Sequence, residues 1–398
     1  MDGQAGATAL APRPSGVGAA TWVPVGMLGL GSFAIGTATF VVAGVLGGLA
    51  ADLGVSVGAA GLTVTAFAVS CGIGGPVLSA LLGVRPPRPV LVGALVVFGA
   101  ANVVAAVAPS LPVLVGARVL SALAAGVYVP AAGAAAVAAM PAEQRGRALA
   151  VVLGGASASM VLGAPIGVLL AAASSWRMAF GFVVVLCAVA VAGLLAVRVH
   201  AGPIPRTSLR ARLRPLRSRA LAGSLAVTLL LMAGSNTAYT YLGPLLGPVA
   251  GPVGIGLLIG MFGFGGLLGT WYGGAAADRW GSARTAAAAV SVLTTALVLL
   301  PLAVSALGTA LAVVLVWGLA AFAFVPAQQH RLLGLGDASA PLVLALNSSA
   351  INLGFAAGAL LGGVVVDAGG VGKLWVVAAA CCGGALVLHQ ALTYWRRS

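Results

Sequence analysis

The sequence predicts an all-α membrane protein of 12 transmembrane helices in two six-helix bundles. Three observations predict it. Hydrophobic residues make up 61% of the 398 residues and charged residues 7%, against about 25% charged in a soluble domain. The chain divides into twelve apolar runs, each near the roughly 20 residues that cross a bilayer as a helix. The stretch 198–219, RVHAGPIPRTSLRARLRPLRSR, carries seven arginines and no acid at the midpoint of the chain. An arginine at a helix centre costs about 2.5–3.5 kcal/mol on insertion scales, so this block reads as an aqueous linker between two embedded halves.

Bounded by charges, prolines and glycine clusters, spans 1 to 6 fall at 22–46, 59–82, 90–108, 112–139, 148–172 and 178–197. Spans 7 to 12 fall at 221–246, 254–277, 285–304, 308–327, 341–366 and 374–395. The domains expected are a disordered tail over 1–20, a first bundle over 21–197, the basic linker over 198–219 and a second bundle over 220–398. The tail lacks the basic segment and apolar run of a cleaved signal peptide.

Basic residues give the orientation. With the N-terminus inside, seventeen of the twenty fall on the cytoplasmic side, as the positive-inside rule requires. This predicts a multi-pass cell-membrane protein with both termini cytoplasmic. The same distribution accounts for the net charge of +14 without nucleic acid, which needs a basic face on a soluble fold. Cys71, Cys187, Cys381 and Cys382 sit inside apolar runs without metal-site spacing and read as small buried residues. No cofactor or metal is expected.

The halves repeat. The loop after span 2, GVRPPRP (Gly83–Pro89), matches the loop after span 8, Asp278-Arg279-Trp280-Gly281-Ser282-Ala283-Arg284. Arg88 and Arg284 lie 196 residues apart, nearly half the chain. Six plus six spans with a central linker is the parallel-repeat plan of a two-bundle transporter, whose substrate site lies near the midplane between bundles. Small residues recur every fourth position: Gly155, Ser159, Gly163 and Gly167 in span 5, Gly265, Gly269 and Gly273 in span 8, Gly354, Gly358 and Gly362 in span 11. Residues four apart share a helix face, and such a face lets two backbones approach closely in lipid. Two readings stand: static packing, or smooth contacts on which one bundle rocks against the other. Pro165 lacks a backbone donor and should bend span 5.

Several stretches, taken in order, resemble the major facilitator superfamily, in its drug:proton antiporter branch of chloramphenicol-resistance and arabinose-efflux-like exporters. They are Gly36-Thr37-Ala38-Thr39-Phe40 with Asp52-Leu53-Gly54-Val55-Ser56, Gly74-Gly75-Pro76, Arg118 followed by Gly126, and Arg145-Gly146-Arg147-Ala148. Further on come Gly163-Ala164-Pro165-Ile166-Gly167, Asp278-Arg279-Trp280-Gly281 and Asn347-Ser348-Ser349-Ala350-Ile351-Asn352-Leu353-Gly354. The resemblance covers about residues 22–395. It implies the two-bundle fold, a cavity lined by spans 1, 4, 7 and 10, proton exchange, and a monomer.

The sequence departs from that pattern twice. The loop Gly83–Pro89 lacks the acid the family usually places there, which leaves Asp278 as the acid of an asymmetric cytoplasmic latch, with Arg147 as its expected partner. The alternative is a solvated salt bridge worth little. Thr39 stands where chloramphenicol-type relatives carry a glutamate, and the six acids, Asp2, Asp52, Glu143, Asp278, Asp337 and Asp367, all fall in tails, loops or span ends. Proton-driven carriers commonly relay through an intramembrane acid or histidine. Protons are therefore a partner by resemblance alone.

On the lining spans the candidate substrate contacts are Thr37, Thr39 and Phe40 (span 1), Arg118 and Tyr128 (span 4), Asn236, Tyr239 and Thr240 (span 7), and Trp317 and Phe322 (span 10). Asn236 lies three and four residues before Tyr239 and Thr240, so the three share a face. Asn347 and Asn352 of span 11 must either hydrogen-bond between helices or face the cavity. Arg118 either snorkels to the outer surface or faces the cavity and binds an anionic group. A lining that is apolar and aromatic, with few hydrogen-bonding groups and no acid, suits a neutral or weakly anionic amphiphile better than a polycation.

The sequence thus predicts an efflux transporter of small amphiphilic molecules working by alternating access. An uncoupled facilitator, an uptake permease and a non-transporting sensor are the alternatives. There is no cluster of catalytic residues and no phosphate-binding loop, so an enzyme is not expected.

Overall fold

The computed structural model describes residues 19–82, 87–197, 214–335 and 339–395. The tail, most of the basic linker, Asp337 and part of the loop after span 2 lie outside them. Among the described residues, eleven helices have the length and apolarity to cross a bilayer, and one of these, Leu242–Trp280, holds a kink. The shorter apolar helix Ser282–Val298 brings the passes to twelve. Exposed apolar side chains such as Val107, Val185, Val253 and Val387 form the lipid-facing exterior.

Span 1 runs through Ala19–Phe40, bends at Val41, and continues as Val42–Asp52. It is longer than expected because its run stays apolar to Asp52. Span 2 is Val57–Leu82, span 3 Pro87–Ala106, span 4 Leu111–Ala138, span 5 Arg145–Ala173 and span 6 Arg177–Ala196. Span 7 starts at Arg219, and its end merges with span 8 across Gly251, whose φ of 63° is open to glycine at no steric cost. Span 9 is Ser282–Val298, span 10 Leu307–Leu333, span 11 Ala340–Gly369 and span 12 Leu374–Tyr394. Ser56 caps span 2 by accepting from the Ala59 amide at 3.0 Å, satisfying a donor that the first helical turn leaves open. Pro130 and Pro326 in spans 4 and 10 are separated by 196 residues, the spacing of the repeated loops.

Pro165 does not simply bend span 5. A five-residue π-helical turn, Ser159–Gly163, precedes it and absorbs the missing donor. Span 2 does the same: the wide turn Ser70–Gly74 precedes Pro76 at the same offset. Such turns insert one extra residue per helical turn and cluster at functional sites.

With twelve passes, Ala19 and Tyr394 fall on one side, called here the near side. On the far side the bundles form one core: Leu46, Leu49, Met160 and Val168 of the first pack with Leu242, Leu246 and Ile259 of the second. On the near side the cores are separate. Leu28, Leu91, Leu95 and Leu194 belong to the first bundle, and Leu221, Leu332 and Val343 to the second.

The glycine stripes hold each bundle together and do not lie between bundles. A Cβ on Gly155 would meet Gly29, and one on Gly163 would meet Thr37, both in span 1; Ser159 packs on Gly36 and Gly167 on Val41. Gly354 and Gly358 press on Met232 and Ala233 of span 7, and Gly265, Gly269 and Gly273 on span 10. A different set of glycines lets the bundles meet. Gly58 and Gly72 of span 2 face span 11, Gly243 faces Ala43, and Gly256, Gly260 and Gly263 face Pro165 and Met160 of span 5. All of these contacts lie at mid-depth or on the far side.

The near-side loop residues are open to solvent. Arg147, Asp278, Arg279 and Arg284 are exposed, and Asp278 forms no ion pair with Arg147, so the expected latch is not closed here. Gly281 joins spans 8 and 9 with φ 88°, a conformation that strains any residue with a Cβ. Arg331 lies beyond the expected end of span 10 at 327, which made it a loop charge; the helix runs on to Leu333, and Arg331 is buried in it, bonded to His389 and Thr393 of span 12.

Candidate functional site

At mid-depth, where the far-side core ends, spans 1, 2, 4, 7 and 11 enclose a cavity of about 20 Å³, enough for one group of about water size. Thr39, Phe40, Arg118, Asn236, Tyr239, Thr240 and Asn352 line it. These are seven of the twelve residues singled out from sequence. The face shared by Asn236, Tyr239 and Thr240 is the one span 7 turns to it.

Arg118 is 1% exposed, so it does not snorkel. Its guanidinium lies 4.2 Å from the centre of the Phe67 ring, a cation–π contact, and its Nε and one terminal nitrogen have no hydrogen-bond partner. The Tyr239 and Thr240 hydroxyls are likewise buried and unpartnered. Buried polar groups are normally satisfied, so three such groups on one cavity are unusual. The described acids lie elsewhere: Asp52 and Asp367 near the far ends of spans 1 and 11, Glu143 and Asp278 at near-side ends. Asp52 is held by Arg177 and by the Trp176 indole at 3.1 Å. The Arg177 hydrogen bond keeps its carboxyl below the usual carboxylate range.

An aromatic cluster backs the cavity. Phe40 of span 1 meets Tyr239 of span 7 edge-on at 6.1 Å, across the two bundles. Tyr239 lies 4.6 Å from Phe262, which in turn contacts Trp317 and Phe322. Asn236 bridges spans 7 and 11 by donating to the Phe355 carbonyl at 2.7 Å. Asn352 donates to its own helix at Ser348.

The other five residues lie off the cavity wall. Thr37 donates to the Phe33 carbonyl and packs against Gly163. Tyr128 reaches across to the Leu28 carbonyl at 3.0 Å, stitching spans 1 and 4. The Trp317 indole donates to Ser235 at 2.8 Å, and Phe322 packs edge-on against Phe262. Asn347 accepts from Thr228 at 3.0 Å, and Gln328 donates to Thr228 and to the Ser224 carbonyl. Asn347 therefore makes the interhelical bond. His389 is bonded between Arg331 and the Ala283 carbonyl, inside the second bundle. The lining residues that the sequence reading missed include Val64, Phe67 and Phe355. Phe355 carried a usable signal, three residues after Asn352 on one face.

Two helical bundles of six spans that close on a mid-depth cavity define a membrane carrier. Residues 28–332 match the Major Facilitator Superfamily, and the chain belongs to that family. It is 32% identical to the uncharacterized MFS-type transporter YbcL of Bacillus subtilis, over 87% of this chain and 89% of that one. It is 33% identical to a chloramphenicol resistance protein of Streptomyces lividans, over 89% and 92%. It is 30% identical to the inner membrane transport protein YdhP of Escherichia coli K12, over 92% and 94%. The fold matches that of the nucleoside transporter NupG, with a TM-score of 0.72 at 12% identity over 94% of this chain and 99% of that one. A partially occluded inward-open structure of the Escherichia coli xylose transporter XylE matches with the same TM-score, at 15% identity over 93% and 97%.

Proposed function

We propose that this transporter exports small amphiphilic molecules from the cytoplasm by alternating access, as a monomer, with its near side and both termini cytoplasmic. One observation carries the reading: the buried core above a mid-depth cavity is shared by both bundles on the far side, while on the near side each bundle keeps a core of its own. A carrier in that state loads from the near side, where the positive-inside count puts the cytoplasm. The similarity to a chloramphenicol resistance protein supports export and drug-like substrates. Proton antiport is the energy source that the family resemblance supports.

One observation favours a second reading. The cavity lining contains no carboxylate or histidine, so an uncoupled facilitator or an uptake permease needs no added group. A drug-susceptibility panel in an efflux-deficient host tests export: expression raises the inhibitory concentration of at least one amphiphile, and an unchanged panel sinks the reading. Proteoliposomes with and without a pH gradient separate antiport from facilitation, because only antiport accumulates substrate against its own gradient.

A further inference from the structure

The cavity is incomplete in charge. Arg118 brings a guanidinium into a lining of Thr39, Phe40, Tyr239, Asn236 and Asn352, and no acid lies among them. Taking a cation out of water is costly unless a counter-charge accompanies it. Phe67 supplies the face of an aromatic ring but no negative charge. Two buried guanidinium nitrogens have no acceptor, and the hydroxyls of Tyr239 and Thr240, which line the same cavity, each lack a partner. Four unpartnered polar atoms thus sit on three side chains, each at most 6% exposed, that line a space for one small polar group.

From this we propose that the carried molecule is a carboxylate-type monoanion with an aromatic body, whose anionic head sits on Arg118, Tyr239 and Thr240. The head accepts from the guanidinium and from both hydroxyls, and supplies the charge that no protein acid provides. The body extends past Asn352 and Phe355 toward the near side, where the two cores are separate. An amide or ester head would satisfy the hydroxyls and leave the charge unmatched. An ammonium head would face a cation. This inference rests on the carrier reading above and narrows its substrate.

The test uses the purified full-length chain in nanodiscs and three matched probes: 1-naphthoate, 1-naphthamide and 1-naphthylmethylammonium. Titration calorimetry ranks them. Naphthoate binds at least about tenfold more tightly than the amide, the gain of a charge-assisted pair in a dry site, and the ammonium binds weakest. Arg118→Gln removes the preference for naphthoate over the amide. Tyr239→Phe and Thr240→Val each narrow it, which keeps the site testable if Arg118→Gln does not fold. Equal binding of naphthoate and amide, tightest binding of the ammonium, or no binding of any probe overturns the proposal. A flat ranking with intact transport of other amphiphiles removes the anion site and leaves the carrier. Arg118-dependent naphthoate binding without movement across proteoliposome membranes leaves the site and removes the export reading.

Discussion

The Gly58 amide donates to the Asp367 carboxylate at 3.1 Å, so the end of span 11 caps the start of span 2 across the two bundles. Ser56 adds a second bond to the same carboxylate at 2.9 Å. Gly58 is buried, and a Cβ there would run into the Gly363 carbonyl. The pair is thus a far-side clasp built on a helix N-terminus, where free amides and the helix dipole favour an anion.

Asp367→Ala should loosen this clasp. Asp367 is solvent-exposed, so each bond is worth about 0.5–1 kcal/mol. Losing both shifts the carrier toward a form open on the far side by several-fold. Spin labels at Ala51 and Gly372, exposed on the far side of the two bundles, would report it as a longer distance population. An unchanged distance distribution would show that the apolar contacts alone close this side.

Gly354→Val should disrupt the second bundle. The added Cβ would lie 2.6 Å from the Met232 Cβ and 2.7 Å from the Leu229 carbonyl oxygen. Overpacking of this kind costs about 1–3 kcal/mol, read as a lower melting temperature or loss of monodisperse protein. Gly26→Ala is the control, since nothing lies within 4 Å of its Cβ position. Equal melting of both variants would contradict the assignment of the span 11 stripe to packing on span 7.

The Asp52–Arg177 pair predicts a pH dependence on the far side. Its bond lowers the folded carboxyl below the ordinary value of 3.8. The unfolded chain therefore binds the proton more readily, and the contribution is present above that value and lost as pH falls through the folded one. Wild type should lose part of its thermal stability in strongly acidic buffer, and Arg177→Gln should lose less over the same interval. Parallel curves would mean that the pair contributes nothing to folding.

The passes and their repeat were legible because hydrocarbon demands long apolar runs and exiles charge; the Arg-rich block and the 196-residue offset made the two halves visible. Boundaries inside apolar sequence were not. Span 1 runs on to Asp52, and spans 7 and 8 merge at Gly251, because no polar contrast marks either place. Within the site, Asn236, Tyr239 and Thr240 could be read from their spacing. Tyr128, Trp317 and Asn347 could not be sorted, since a polar group in a span meets either the cavity or a neighbouring helix, and residue type alone does not choose. Phe67 and Phe262 were silent for the opposite reason: an aromatic in an apolar run has nothing to stand out against. The glycine spacings showed that helices touch but not which helices. Arg331 looked like a loop charge because its burial depends on His389, 58 residues away in the chain.

The wide turns before Pro76 and Pro165 have a consequence for how this family can change length. Each holds one surplus residue in a helix that touches the opposite bundle. Deleting a single residue within Ser70–Gly74 or Ser159–Gly163 would let the turn tighten to ordinary winding, while the same excision elsewhere would swivel every later side chain by about 100°. These two turns are where natural insertions and deletions among relatives should be tolerated inside the membrane.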